Sequence, residues 1–193
     1  MTILGQHTIA ETRDFIKVID FQVNQYDKKL NDLKVKWTNP TKAQTELDFD
    51  FSSFVIEWTT TRDKQALVML AATLANPSAH PSIIPAESNF QALQNVVQVR
   101  VPHWADIKQR INAEASLLAL PAVDLSAQPA QNSPDADSVA IRKLDAAIAA
   151  AGNPLGKPGG SDSVAKSPLG IALIVGGVAA LGVGALYVKK VIL

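Results

Sequence analysis

The sequence predicts a mainly α protein: an N-terminal helical domain built on a long antiparallel helix hairpin, a flexible linker, and a single C-terminal transmembrane helix. Three observations predict it. Apolar residues recur at steps of three and four through the first half of the chain. Proline breaks with capping signals beside them divide those runs into segments. From Ser167 to Val188 there is no charged residue. The corresponding division is a helical soluble domain over 1–120, a Pro/Ala-rich linker over 121–137, a short amphipathic helix over 138–151, a Gly/Pro/Ser-rich linker over 152–167, a transmembrane anchor over 168–189 and a tail over 190–193.

The first helix is specified along its whole length. Ile16, Ile19, Val23, Tyr26, Leu30, Leu33 and Trp37 alternate steps of three and four, and Ile9 and Thr12 extend the register backwards. That is the spacing of a helix that buries a seam along another helix. Thr8 and Glu11 form a capping box, each satisfying a free backbone donor of the first turn. Phe15, Val18 and Phe21 lie outside the seam, so the apolar face is wide enough for more than one neighbour. Lys28, Lys29, Lys34 and Lys36 cluster near the end with Asp27 and Asp32 interleaved, the pattern of a solvated helix face.

Asn39-Pro40 stops this helix, because proline disfavours helical geometry in the residue before it and donates no backbone hydrogen bond. Thr41 and Gln44 make a second capping box, so a new helix begins at once and folds back on the first. Ala43, Leu47, Phe51, Phe54 and Trp58 share one side, and Leu67, Leu70, Ala71 and Leu74 resume the pattern. A competing expectation is a small β-hairpin near 46–60. There Leu47, Phe49 and Phe51 alternate with Glu46, Asp48 and Asp50, and β-branched residues are frequent up to Thr61. Helix is favoured because the caps and the flanking periods agree.

Asn76-Pro77 ends the hairpin. Pro85 is expected at the start of a third helix with Phe90, Leu93 and Val97 as its buried stripe. Past Pro102, a fourth carries Trp104, Ile107, Ile111, Ala115 and Leu118 on one face. After Leu120 the composition turns to proline, alanine and small polar residues, with too little apolar surface to offset the entropy of ordering. Ser138 to Ala151 is an amphipathic island with Ile141, Leu144 and Ile148 on one face and Gly152 as a C-terminal cap. A helix this short is marginal alone, and its apolar face needs a partner.

Composition excludes several chemistries. Lysine plus arginine number 18 and aspartate plus glutamate number 18, so nothing drives nucleic-acid binding, and no such partner is expected. The absence of cysteine removes disulfides, zinc-thiolate sites and cysteine nucleophiles. The first residues lack the basic and apolar regions of a signal peptide. Gly152-Asn-Pro-Leu-Gly156-Lys157 has one residue too few between its glycines for a phosphate-binding loop, and Pro158 stands where a magnesium-binding hydroxyl belongs. His7, His80 and His103 are scattered, Asp48 and Asp50 diverge on a helix, and Ser52 and Ser53 lack a nucleophile elbow. No catalytic, cofactor or metal residues are expected. Trp37, Trp58 and Trp104 sit in apolar stripes, where packing is their ordinary role.

The apolar run is long enough to cross a hydrocarbon core of about 30 Å at about 1.5 Å per residue. Within it Ala172, Gly176, Ala180 and Gly184 recur every four residues, a slim face that lets helices approach closely in lipid. Only Val191, Ile192 and Leu193 follow Lys189 and Lys190, the layout of a tail anchor with the helical domain on the cytoplasmic or particle-interior side. The expected partners are the lipid bilayer, further copies or another membrane protein along the span, and a soluble or shell protein on the helical domain. The expected function is a non-enzymatic membrane-anchored structural or assembly protein, such as a virion component of a phage. It would link a protein shell or delivery apparatus to a bilayer. The alternatives are a cellular tail-anchored adaptor that recruits a soluble partner, and a membrane-tethered enzyme of unrecognised type.

Overall fold

The structure, a computed structural model, describes residues 7–126 and 138–151, all within the compact unit Met1–Pro154. It is mainly helical: α1 (Ile9–Lys36), α2 (Lys42–Ala75), α3 (Glu87–Gln98), α4 (Trp104–Leu117) and α5 (Val139–Ala151), with no strand among the described residues. The longest helix, α2, is the hub and packs against each of the other four.

Both boxes at the hairpin's helix starts are closed. The Glu11 amide donates to Thr8 Oγ1 at 3.3 Å while the Thr8 amide donates to Glu11 Oε2 at 2.8 Å. At Thr41 and Gln44 the paired distances are 3.3 and 2.9 Å. Because the turn between the helices is short, register follows from distance to it. Lys34 meets Asp48 at 2.9 Å, and further along Asp20 meets Arg62 at 2.9 Å. Each pair is equally spaced about Thr41, which fixes an antiparallel alignment.

No β-hairpin forms near 46–60; α2 runs through the whole stretch. The alternation there is a by-product of a helix with two apolar sides. Leu47, Phe51, Phe54 and Trp58 are buried on one side, and Phe49 points outward with 70% of its surface exposed. The β-branched residues are accommodated by bonding backwards: Thr59 Oγ1 donates to the Val55 carbonyl at 2.8 Å and Thr60 Oγ1 to that of Ile56 at 2.7 Å.

Two further details differ from expectation. α3 starts at Glu87, not at Pro85, because the preceding backbone is engaged elsewhere: Pro85 bridges Thr8, and the Ala86 amide donates to the His7 carbonyl at 2.7 Å. Its buried residues are Asn89, Leu93 and Val96, with Phe90 and Val97 partly buried. α4 buries Trp104, Ile107, Ile111 and Ala115, whereas Leu118 is the C-cap and reaches solvent. Ala119 closes that end with φ of 51°, a left-handed geometry that glycine adopts more easily, and the Leu120 amide returns to the Ala115 carbonyl at 2.8 Å.

The aromatic centre lies between α1, α2 and α4. Trp104 stacks on Phe54 at 4.4 Å between centroids, and Tyr26 meets its edge at 5.5 Å. α5 finds its partner in the same body: it lies on α2 with Ile141 and Leu144 fully buried. Each such side chain is worth about 1.5–3 kcal/mol of transfer from water, so the polar contacts at the ends of so short a helix matter.

Candidate functional site

The densest polar arrangement among the described residues is buried where α1, α2 and α5 meet. α1 supplies it from beside its apolar seam and α2 from its middle, where the run of buried apolar residues pauses between Trp58 and Ala66. On α2 the buried face proceeds through Leu47, Phe51, Phe54 and Trp58, and Arg62 stands about one turn beyond Trp58. On α1, Asp20 directly follows the seam residue Ile19 and is only 9% exposed.

Asp20 Oδ1 accepts from Trp58 Nε1 at 2.7 Å and from Arg62 Nη1 at 2.9 Å. Arg62 Nε donates to Asp63 Oδ1 at 2.9 Å, and that oxygen also accepts from Ser138 Oγ at 2.7 Å. Ser138 Oγ in turn accepts the Ile141 amide at 3.3 Å, capping α5. A continuous chain of hydrogen bonds thus runs from α1 through α2 to the start of α5. Asp145 extends the attachment, with Arg13 and Lys17 of α1 each at 3.3 Å.

Burial pushes the Asp20 carboxyl above its ordinary value, against the opposing pull of Arg62 and Trp58. Among the described residues its second oxygen, Oδ2, has no hydrogen-bond partner, which accounts for the incomplete compensation. For Arg62, burial works toward neutrality but Asp20 and Asp63 outweigh it, holding the guanidinium above its ordinary value. Arg62 therefore stays charged and serves two carboxylates. Such a group positions helices.

The residues singled out from sequence are dispersed by comparison. Ile16, Ile19, Val23, Tyr26, Leu30 and Leu33 line the buried side of α1, and Trp37 is the half-buried C-cap. Ala172, Gly176, Ala180 and Gly184 lie outside the described residues, as do the glycine-rich 152–157 stretch and the apolar run 168–189. No described helix is long and apolar enough to cross a membrane.

Asp48 and Asp50 do diverge: Asp48 meets Lys34 and Asp50 meets Arg110 of α4 at 2.7 Å. His7 meets Glu87 at 2.9 Å and stacks on Phe90; His80 accepts the Ser82 amide; the His103 amide donates to Asp106 at the start of α4. The backbone amide and side chain of His7 hold the Glu87 carboxyl below its ordinary value. Trp104 Nε1 donates to Gln22 at 3.2 Å, and burial lowers the nearby Lys108, whose ammonium lies over the Trp104 ring. Among the described residues no three histidine or carboxylate side chains converge as metal ligands.

Sequence reasoning passed over Asp20 and Arg62. A signal was available: opposite charges beside the seams of two helices, equally far from the turn that joins them. The class these features define is a helical bundle knitted by interhelix ion pairs around one buried charge cluster. Comparison with protein-family models, curated proteins and solved structures finds no match to the chain.

Proposed function

We propose that this chain is a non-enzymatic membrane-anchored structural protein, of the kind that links the protein shell or delivery apparatus of a phage particle to a bilayer. The helical body engages other proteins, and the 168–189 run holds it to the membrane. The carrying observation is the charge-free run from Ser167 to Val188, closed by Lys189 and Lys190. A second feature supports the non-enzymatic side. Asp20, Arg62, Asp63 and Asp145 are spent on joining helices to one another. No cofactor or nucleic acid enters this reading. The body sits on the cytoplasmic or particle-interior side, and the stripe Ala172, Gly176, Ala180 and Gly184 packs the span against further copies or another membrane protein.

The test is membrane retention under alkaline carbonate extraction. The full chain should remain with the vesicle pellet, and a chain ending at residue 167 should be released. Release of the full chain would overturn the anchor. Gly176→Leu with Gly184→Leu should retain the pellet behaviour and lose association in a membrane oligomerisation assay; unchanged association would make the stripe incidental. Copurification in mild detergent with a shell or delivery-apparatus protein distinguishes the particle role from recruitment of a soluble cellular partner.

A further inference from the structure

One end of the helical body is built from sequence without charge. No aspartate, glutamate, lysine or arginine occurs from Gln65 to Ala86, nor from Ala146 to Ala151, and His80 is the single titratable side chain in the two runs. The fold brings both runs to one place. Because Arg62 lies beside Asp20, the antiparallel register carries the end of α2 at Ala75 level with the start of α1 at Ile9. α5 runs from Ser138 beside Asp63 to Asp145 beside Arg13 and Lys17, so Ala151 finishes at that same end. The loop 77–86 closes it, held by the Ile9 amide on the Ile84 carbonyl at 3.0 Å and the Ala86 amide on the His7 carbonyl at 2.7 Å. This turns Ile84 inward and Ile83 outward, 70% exposed; Leu74 is 48% exposed, and Ala75, Ala149 and Ala150 also reach solvent. Glu11 and Glu87, which border the end, are already engaged by the Thr8 and His7 amides.

We propose that this end is a docking surface for a phospholipid bilayer, with Ile83 and Leu74 entering the headgroup boundary. The proposal rests on the reading of 168–189 as a membrane anchor, and three observations carry it. The first is where the chain leaves the body: α5 finishes here, and only residues 152–167 stand between it and the apolar run. At no more than about 3.6 Å per residue they keep the body close to the bilayer, where a weak contact counts as an intramolecular one. The second is the missing charge. Charged groups resist leaving water, whereas exposed apolar side chains without charged neighbours gain by entering the boundary. The third is contrast with the other exposed apolar residues. Phe49 and Ile56 stand on α2 beside Glu46, Asp50 and Glu57. Leu117, 79% exposed, lies at the opposite end, where Gln44 of α2 donates to Glu114 of α4. With no basic residue in either run, the contact takes neutral lipid as readily as anionic lipid.

Site-specific quenching on the full chain in phosphatidylcholine vesicles tests this. Because the chain has no cysteine, Ile83→Cys and, separately, Leu117→Cys each supply the only thiol for an environment-sensitive fluorophore. Lipids bearing a quencher at the top of the acyl chain should quench the label at 83 and spare the label at 117. Equal quenching at both positions, or none at 83, would overturn the docking surface. A label on Ala149→Cys should also be quenched, and Leu74→Asp with Ile83→Asp should abolish that signal; quenching that survived both would count against the proposal. Added salt should leave the signal at 83 unchanged, since screening acts only on charges, and its loss in salt would assign the contact to electrostatics instead. Shielding at 83 that appears only as protein density rises would give the surface to a second copy and sink the proposal. Carbonate extraction of the same vesicles scores the anchor separately. Retention in the pellet without quenching at 83 strikes the docking and leaves the anchor. Release from the pellet, with quenching when vesicles are added back, strikes the anchor and leaves the docking. Release with no quenching strikes both.

Discussion

The α1–α2 contact and the α2–α5 contact are built from the same ingredients in opposite proportion. Between α1 and α2 the apolar seam is long, and of its two ion pairs one, Asp20 with Arg62, is nearly out of solvent. Between α2 and α5 the apolar part is short, Ala140, Ile141 and Leu144, and the charged residue of α5, Asp145, about a third exposed, pairs with Arg13 and Lys17 of α1 instead. A buried charge binds two helices because neither can leave without stranding the other's partner in a poor solvent. A peripheral charge adds little, because water replaces it. The first contact therefore turns on a buried charge and the second on close apolar packing.

The sharpest way to break this comparison is to unpair the buried site. Arg62→Leu leaves Asp20 buried without its cation and should cost about 3–5 kcal/mol in urea denaturation. Asp20→Leu combined with Arg62→Leu should recover most of that loss. If the single and double variants were equally unstable, the cluster would act through shape and not through charge. Trp58→Ala falls in the same range, about 3–5 kcal/mol, since it opens a cavity and removes the donor to Asp20.

Ile141→Ala removes a smaller apolar side chain from the other contact, and the comparison requires a different signature. Its loss of about 2–3 kcal/mol should register as faster hydrogen exchange in α5. The urea midpoint of the body should move far less than for Trp58→Ala.

A pH series refines the picture further. Because the Asp20 carboxyl binds its proton more tightly in the folded state than in the unfolded one, its contribution favours the fold in acid and is lost as pH rises through the raised folded value. Asp20→Asn lacks this dependence. The stability of the natural protein relative to Asp20→Asn should therefore decline as pH rises from about 4, the ordinary aspartate value, toward neutrality. A difference that grew with pH would reverse the assignment. The smallest effect is expected at a site in neither contact: Ala119→Gly relieves a left-handed alanine and should stabilise by about 0.5–1 kcal/mol in thermal denaturation.

Much of the helical architecture is legible in local sequence. Thr8 with Glu11 and Thr41 with Gln44 announce two helix starts, and Asn39-Pro40 and Asn76-Pro77 announce the breaks. Residues 46–60 were harder, because a helix apolar on two sides resembles an alternating strand when residues are read singly. Phe49 is the misleading residue: it is apolar yet faces solvent. The cluster around Asp20 was not legible from composition, since each of its charges is ordinary in isolation and only the hairpin register brings them level.

Short-range chemistry alone determined where the helices begin and end in this protein, because a cap or a proline acts within one turn of itself. Tertiary structure alone decided which face meets which. Ile141 and Leu144 require burial but do not say against what, and Arg62 lies beside the seam of α2, where spacing rules do not announce a buried charge. Both were settled by long-range geometry: the antiparallel hairpin lays Asp20 beside Arg62, and Asp63 beside it offers the acceptor that fixes Ser138 and the start of α5.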